Sequence, residues 1–133
     1  MPGKVKSYRD LEVWQKAMEL AVEAYRLTEP FPAHEQYGLR AQIHRAAVSV
    51  PSNVAEGHGR AITREYLHHL AIAHGSLMEL ETQVELSVRL GFVKRPVADG
   101  VLSQAAECGR MLHGLMRRLR ELAETQTVVR SRR

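Results

Sequence analysis

Residues 101–122, VLSQAAECGRMLHGLMRRLREL, decide how the rest of the chain is read. Val101, Ala105, Cys108, Leu112, Leu115, Leu119 and Leu122 recur at steps of three and four. That spacing stacks them on one face of an α-helix, with charged residues on the other. Pro96, well placed in a first helical turn, predicts a start there, and the helix is expected to run to about residue 124. Residues 125–133 have little to bury and read as a frayed basic tail.

Working backwards, Tyr66, Leu70, Ala73, Leu77, Leu80, Val84 and then Ser87 or Val88 form a second stripe. Its helix is expected from an N-cap at Thr63 to Leu90, closed by Gly91. Leu39, Ile43, Ala46, Val50 and Val54 predict a helix over 34–57 that lacks a good N-cap residue. Pro51 keeps the register between Val50 and Val54, so a bend is expected there rather than a break. Gly57 and Gly59 are expected to supply left-handed geometry at its end. The first helix is predicted over 7–28, with Ser7 and Asp10 spaced as a capping box. Its inner face is read as Leu11, Trp14, Met18, Ala21 and Tyr25, and Pro30 and Pro32 terminate it.

No segment alternates with the period of a strand. Four amphipathic helices on short joints predict an all-α fold, an antiparallel up-down-up-down four-helix bundle in a single domain of 133 residues. Leu67, Met78, Leu86, Met111 and Met116 lie off the inner stripes, and this surplus apolar surface predicts a homo-oligomer.

Composition narrows the function classes. Apolar residues make up 44% and charged residues 26%, the balance of a globular protein. No apolar run approaches the roughly 20 residues of a membrane span, and the N-terminus lacks the apolar core of a secretory signal. With one cysteine there is no internal disulfide, so a cytoplasmic location is expected. The net charge of +4 is uneven: residues 110–133 hold seven arginines and two glutamates, so the whole excess sits at one end. Arg110, Arg117, Arg118 and Arg120 on the last helix are the candidate nucleic-acid contacts, extended by Arg130, Arg132 and Arg133 in the tail. Arg40 and Arg45 could enlarge that surface, although Arg40 also sits near Glu35. Such a surface attracts phosphates without reading sequence. Aromatic residues are too scarce there for base stacking. The simpler reading, cations offsetting a helix C-terminus, carries real weight.

Catalytic patterns were sought in the same residues. Glu65 and His68 have the Glu-x-x-His spacing of di-iron bundles, but no second copy exists and the interior of the last helix is apolar. His68, His69 and His74 do not share a face, no zinc spacing occurs, and Gly57-His58-Gly59 is too short to cradle phosphates. Cys108 reads as a small core residue and Trp14 as an anchor. No catalytic residue, metal, cofactor or small-molecule substrate is expected.

Further motifs stand in a telling order: Leu11-Glu12-Val13-Trp14-Gln15-Lys16-Ala17, Phe31-Pro32, Glu35-Gln36-Tyr37-Gly38-Leu39, then Ser49-Val50-Pro51-Ser52-Asn53-Val54-Ala55-Glu56-Gly57 and Gly75-Ser76-Leu77-Met78-Glu79-Leu80-Glu81. Over roughly residues 8–120 the set resembles the four-helix-bundle protein family encoded in intervening sequences of bacterial large-subunit (23S) rRNA genes. The resemblance implies a cytoplasmic bundle that forms ring-shaped pentamers. It also implies a link to the accessory proteins of diversity-generating retroelements, which bind a reverse transcriptase and nucleic acid. Read from their own chemistry, Pro51, Asn53, Glu56, Gly57, Gly75 and Ser76 are a polar and steric lock on the bundle. Glu56, at an end where the helix dipole disfavours an anion, needs a partner such as Arg60. Gly75 and Ser76 lack bulk and would admit a neighbouring backbone. The reading reached is a non-enzymatic homo-oligomer that binds RNA or DNA, or a reverse transcriptase. A protein-interaction bundle with no nucleic-acid role is the alternative.

Overall fold

The computed structural model describes residues 5–131, with side chains described through residue 125. Four helices carry the fold: α1 (Glu12–Thr28), α2 (Leu39–His58), α3 (Thr63–Arg89) and α4 (Arg95–Ser131). Among the described residues there is no strand. α1 packs on α2 and α4, α3 packs on α2 and α4, and among the described residues neither diagonal pair of helices is in backbone proximity. That closed ring of neighbours is a four-helix bundle. Residues 59–62 and 90–94 are the whole of the second and third joints, the short links on which the up-and-down expectation rests.

The Ser7–Asp10 capping box exists, but it caps a single 3-10 turn, Tyr8–Asp10, and α1 begins only at Glu12 after an extended Leu11. The Asp10 carboxylate accepts from the Lys6 and Ser7 amides, which holds its pKa below the usual range. This offset goes with a different inner face. Val13, Ala17, Leu20, Ala24 and Leu27 are buried, whereas Met18 and Tyr25, expected inside, are 41% and 45% exposed. α1 carries two overlapping apolar stripes, and the one containing Ala17 and Ala24 lets its neighbours approach more closely. Leu11 and Trp14 pack against the core from its margin.

In α2 the expected face is the observed one: Leu39, Ile43, Ala46, Val50 and Val54 are all buried. The helix starts five residues later than expected, after a 3-10 turn over Ala33–Glu35, and Gly38 precedes it without a side-chain cap. Pro51 is buried inside one continuous helix. Gly57 and Gly59 do not stop it by left-handed geometry, because Gly91 (φ 78°) is the one positive-φ residue among those described. Gly57 instead permits a close approach, since a Cβ there would sit 2.9 Å from His69 Cβ and 3.0 Å from Tyr66 Cδ1.

α3 buries Leu70, Ala73, Ser76, Leu77, Leu80, Val84 and Ser87. Thr63 is its first residue rather than its cap; Ile62 holds the cap position with no side-chain bond. At the other end Gly91 N–H donates to the Val88 carbonyl and Phe92 N–H to that of Ser87. That is a Schellman closure, and it needs the left-handed Gly91. Phe92 then meets Phe31 at 5.4 Å between ring centroids.

The largest difference lies in α4. Val101, Ala105, Cys108 and Leu112 are buried as expected, but Met116 is the next core residue, Leu115 and Leu119 are marginal, and Leu122 is 50% exposed. A helix of 3.6 residues per turn drifts away from a seven-residue repeat, and α1 has no residues to cover the last turns. Residues 125–131 are helical rather than frayed. At 1.5 Å per residue the 37 residues of α4 span roughly 55 Å. Of the remaining off-stripe residues, Leu67 and Met111 pack against the core, while Met78 and Leu86 stay exposed.

Candidate nucleic-acid interface

Arg110, Arg117, Arg118 and Arg120 are all exposed on the outer surface of α4. None enters an ion pair among the described residues, even though Glu121 and Glu124 lie within a turn or two. Four arginines elsewhere do pair, while Arg9, Arg40, Arg45 and Arg64 enter no ion pair among the described residues. Arg26 pairs with Glu23, Arg60 with Glu56, and Arg89 and Arg95 with Glu85. Arg110 and Arg118 rim a groove of about 350 Å³ between α4 and the start of α1, floored by Leu11, Val13, Met111 and Leu115. Arg132 and Arg133, and the side chain of Arg130, lie outside the described residues.

Arg40 does not join this surface. Its Nη2 donates to the Glu29 and Phe31 carbonyls at 3.3 Å each, tying α2 to the end of α1. Arg45 lines a separate hollow with Ser49, Ser76 and Glu79 on the α2–α3 seam.

The motif residues fall into distinct roles. Ser49 and Ser76 hydroxyls meet at 2.7 Å between α2 and α3. Asn53 Nδ2 donates to the Ser49 carbonyl at 2.9 Å, and its Oδ1 lies 3.1 Å from His69 Nδ1. A carbonyl can only accept, so the Asn53 amide orientation is set, and His69 Nδ1 carries the proton it shares with Oδ1. Glu56 does pair with Arg60, at 2.8 Å, but both side chains are about half exposed. Such a surface pair contributes little. Gly75 admits no neighbour, since nothing lies within 4 Å of a Cβ placed there; the close approach occurs at Gly57. His69 as the partner of Asn53 was not legible, because the link joins two helices 16 residues apart.

Glu65 and His68 are exposed, and no group of three metal-ligating side chains occurs among the described residues. Cys108 is buried, and burial foremost, aided by the Glu107 and Glu19 carboxylates, pushes its pKa up to about 11. No helix among the described residues is long and apolar enough to cross a membrane.

The fold and the motif order can be set beside known proteins. No curated protein matches the chain. A protein of unknown function from the S23 ribosomal protein family of Bacteroides thetaiotaomicron has a similar crystal structure, with a TM-score of 0.71 at 21% identity. The alignment covers 78% of this chain and 97% of that one, and at such identity it speaks for the fold alone. The family model for the 23S rRNA-intervening sequence protein matches residues 9–114, which take in α1, α2, α3 and half of α4. A match of that extent, on a bundle of the same fold, places the chain in the 23S rRNA-intervening sequence protein family.

Proposed function

We propose that this protein is a non-enzymatic, homo-oligomeric helical scaffold, a pentamer in keeping with the family resemblance, that holds nucleic-acid phosphates on α4. The observation that carries the reading is the gathering of four exposed, unpaired arginines on one stretch of α4. Arg26, Arg60, Arg89 and Arg95 meet carboxylates of their own chain, while Arg110, Arg117, Arg118 and Arg120 meet none among the described residues. Exposed guanidinium groups without partners are available to phosphates, and symmetry would multiply them into one concentrated field.

Self-association is supported by a second observation. Met18, Val22 and Tyr25 are exposed at 41%, 46% and 45%, spaced to share one face of α1. A continuous apolar strip of this kind is expected to be covered by another copy. It equally supports the protein-interaction reading, in which a partner such as a reverse transcriptase covers it and no nucleic acid is involved.

The test is a titration of labelled structured RNA at low and physiological salt, with the Arg117→Glu/Arg118→Glu variant beside the wild type. Tight binding that falls steeply with salt and collapses in the variant supports the phosphate role. No binding at low salt removes it and leaves the protein-interaction reading. Light scattering of the same sample reads the ring size.

A further inference from the structure

The α2–α3 turn carries a second collection of cations that the α4 reading does not use. Arg60, Arg64, Glu65, His68 and His69 line an open hollow of about 530 Å³. Arg60 comes from just beyond the end of α2 and the other four from the first two turns of α3. Arg64 enters no ion pair among the described residues, and Arg60 is held by Glu56.

His69 is oriented before any ligand arrives. Asn53 Oδ1 accepts from His69 Nδ1–H, leaving Nε2 as the free ring nitrogen, which donates to a phosphate only when it too carries a proton. The backbone adds donors. Ile62 offers no side-chain cap to α3, so the amides of Thr63 and Arg64 keep no protein acceptor among the described residues. Gly57 makes the arrangement possible, because a side chain there would collide with His69 and Tyr66.

We propose that this hollow is a second phosphate-binding subsite for a polynucleotide backbone, in which Arg60, Arg64, His68 and His69 are the contacting residues. The proposal rests on the nucleic-acid reading of α4 and extends the contact surface to α2 and α3. Glu56 and Glu65 lie beside the two arginines, and His68 and His69 bring imidazole nitrogens to the same hollow. Of the other nearby groups, His58 stacks edge-on against Tyr66 at 5.9 Å and interacts with Asp10, while α1 and α4 contribute no lining residue.

The experiment is fluorescence anisotropy with labelled single-stranded RNA across a series of salt concentrations. It compares the wild type, Arg64→Gln/His68→Gln, Glu65→Gln and Arg117→Glu/Arg118→Glu. The expected result is weaker binding by the Arg64/His68 variant, with a salt slope shallower by about 0.7 per lost contact. Glu65→Gln should bind more tightly, a gain that misfolding cannot mimic. Inorganic phosphate at matched ionic strength should not displace the RNA. Wild-type affinity and slope in the Arg64/His68 variant, with binding lost in the α4 variant, would overturn this subsite and leave the α4 reading intact. Absence of RNA binding by the wild type would overturn both. Phosphate binding that the Arg64/His68 substitutions abolish, with RNA affinity unchanged, would make the hollow a small-anion pocket and also overturn the proposal.

Discussion

Glu85 and Arg95 face each other across the α3–α4 joint in a fork, with Arg95 Nη1 and Nη2 each 2.7 Å from a separate carboxylate oxygen. Arg89 adds a longer bond from within α3, and Asp99 flanks Arg95 from the next turn of α4. The Arg95 hydrogen bonds are the main cause that lowers the Glu85 pKa to about 2, with Arg89 adding to it. The pair lies over the joint that Gly91 closes, so it staples the two helices where the backbone turns.

A carboxylate depressed in the folded state stabilises above its unfolded pKa and loses that contribution as pH falls toward the folded one. Stability from Glu85 should thus be intact near neutrality and decline between roughly pH 4.5 and about 2. Melting temperatures across that range should fall more steeply for the wild type than for Glu85→Gln. Parallel curves would mean that solvent screens the fork completely.

Leu112 is fully buried and Leu122 is half exposed on the same helix. Leu112→Ala should lower unfolding free energy by about 2–5 kcal/mol through the cavity it leaves. Leu122→Ala should change it by about 0.5 kcal/mol or less. Urea midpoints decide between the two, and an equal loss at Leu122 would place that leucine in an interface of the assembly.

Gly57 and Gly75 separate two uses of a missing side chain. Gly57→Ala forces a Cβ onto His69 and Tyr66 and should destabilise by about 1–3 kcal/mol. Gly75→Ala meets open space inside a helix and should stabilise by about 0.5–1 kcal/mol. If Gly75→Ala instead disrupts assembly, the open space beside it belongs to a neighbouring copy.

Cys108 should be unreactive toward an aromatic disulfide reagent at pH 8 in the folded protein and react fully in denaturant. Its thiol is buried, and the thiolate that reacts is disfavoured by a pKa near 11. Rapid labelling of the native protein would show that α4 opens along its length.

How much the residues disclosed depended on how many faces each helix offered. α2 has one apolar stripe, and all five positions read from it are buried. α1 has two, and periodicity alone could not say that Ala17 and Ala24, rather than Met18 and Tyr25, would meet the core. In α4 the stripe was read correctly as far as Leu112 and failed where the bundle stops, since a spacing rule knows nothing of where neighbouring helices end. The motif from Ser49 to Gly57 announced a polar contact. Its partners, Ser76 and His69, stand on another helix and only folding brings them within 3.1 Å.

If α4 binds as proposed, its helical continuation to Ser131 would bear on affinity as well as shape. A disordered basic segment would have to surrender about 1–2 kcal/mol of backbone entropy for every residue it fixes on a target. Arg110, Arg117, Arg118 and Arg120 already ride on a rod with a set rise and rotation, so their spacing precedes the encounter. Under the proposed function a partner would have to match that spacing, and a rigid, regularly charged ligand would be better placed to do so than a compliant one.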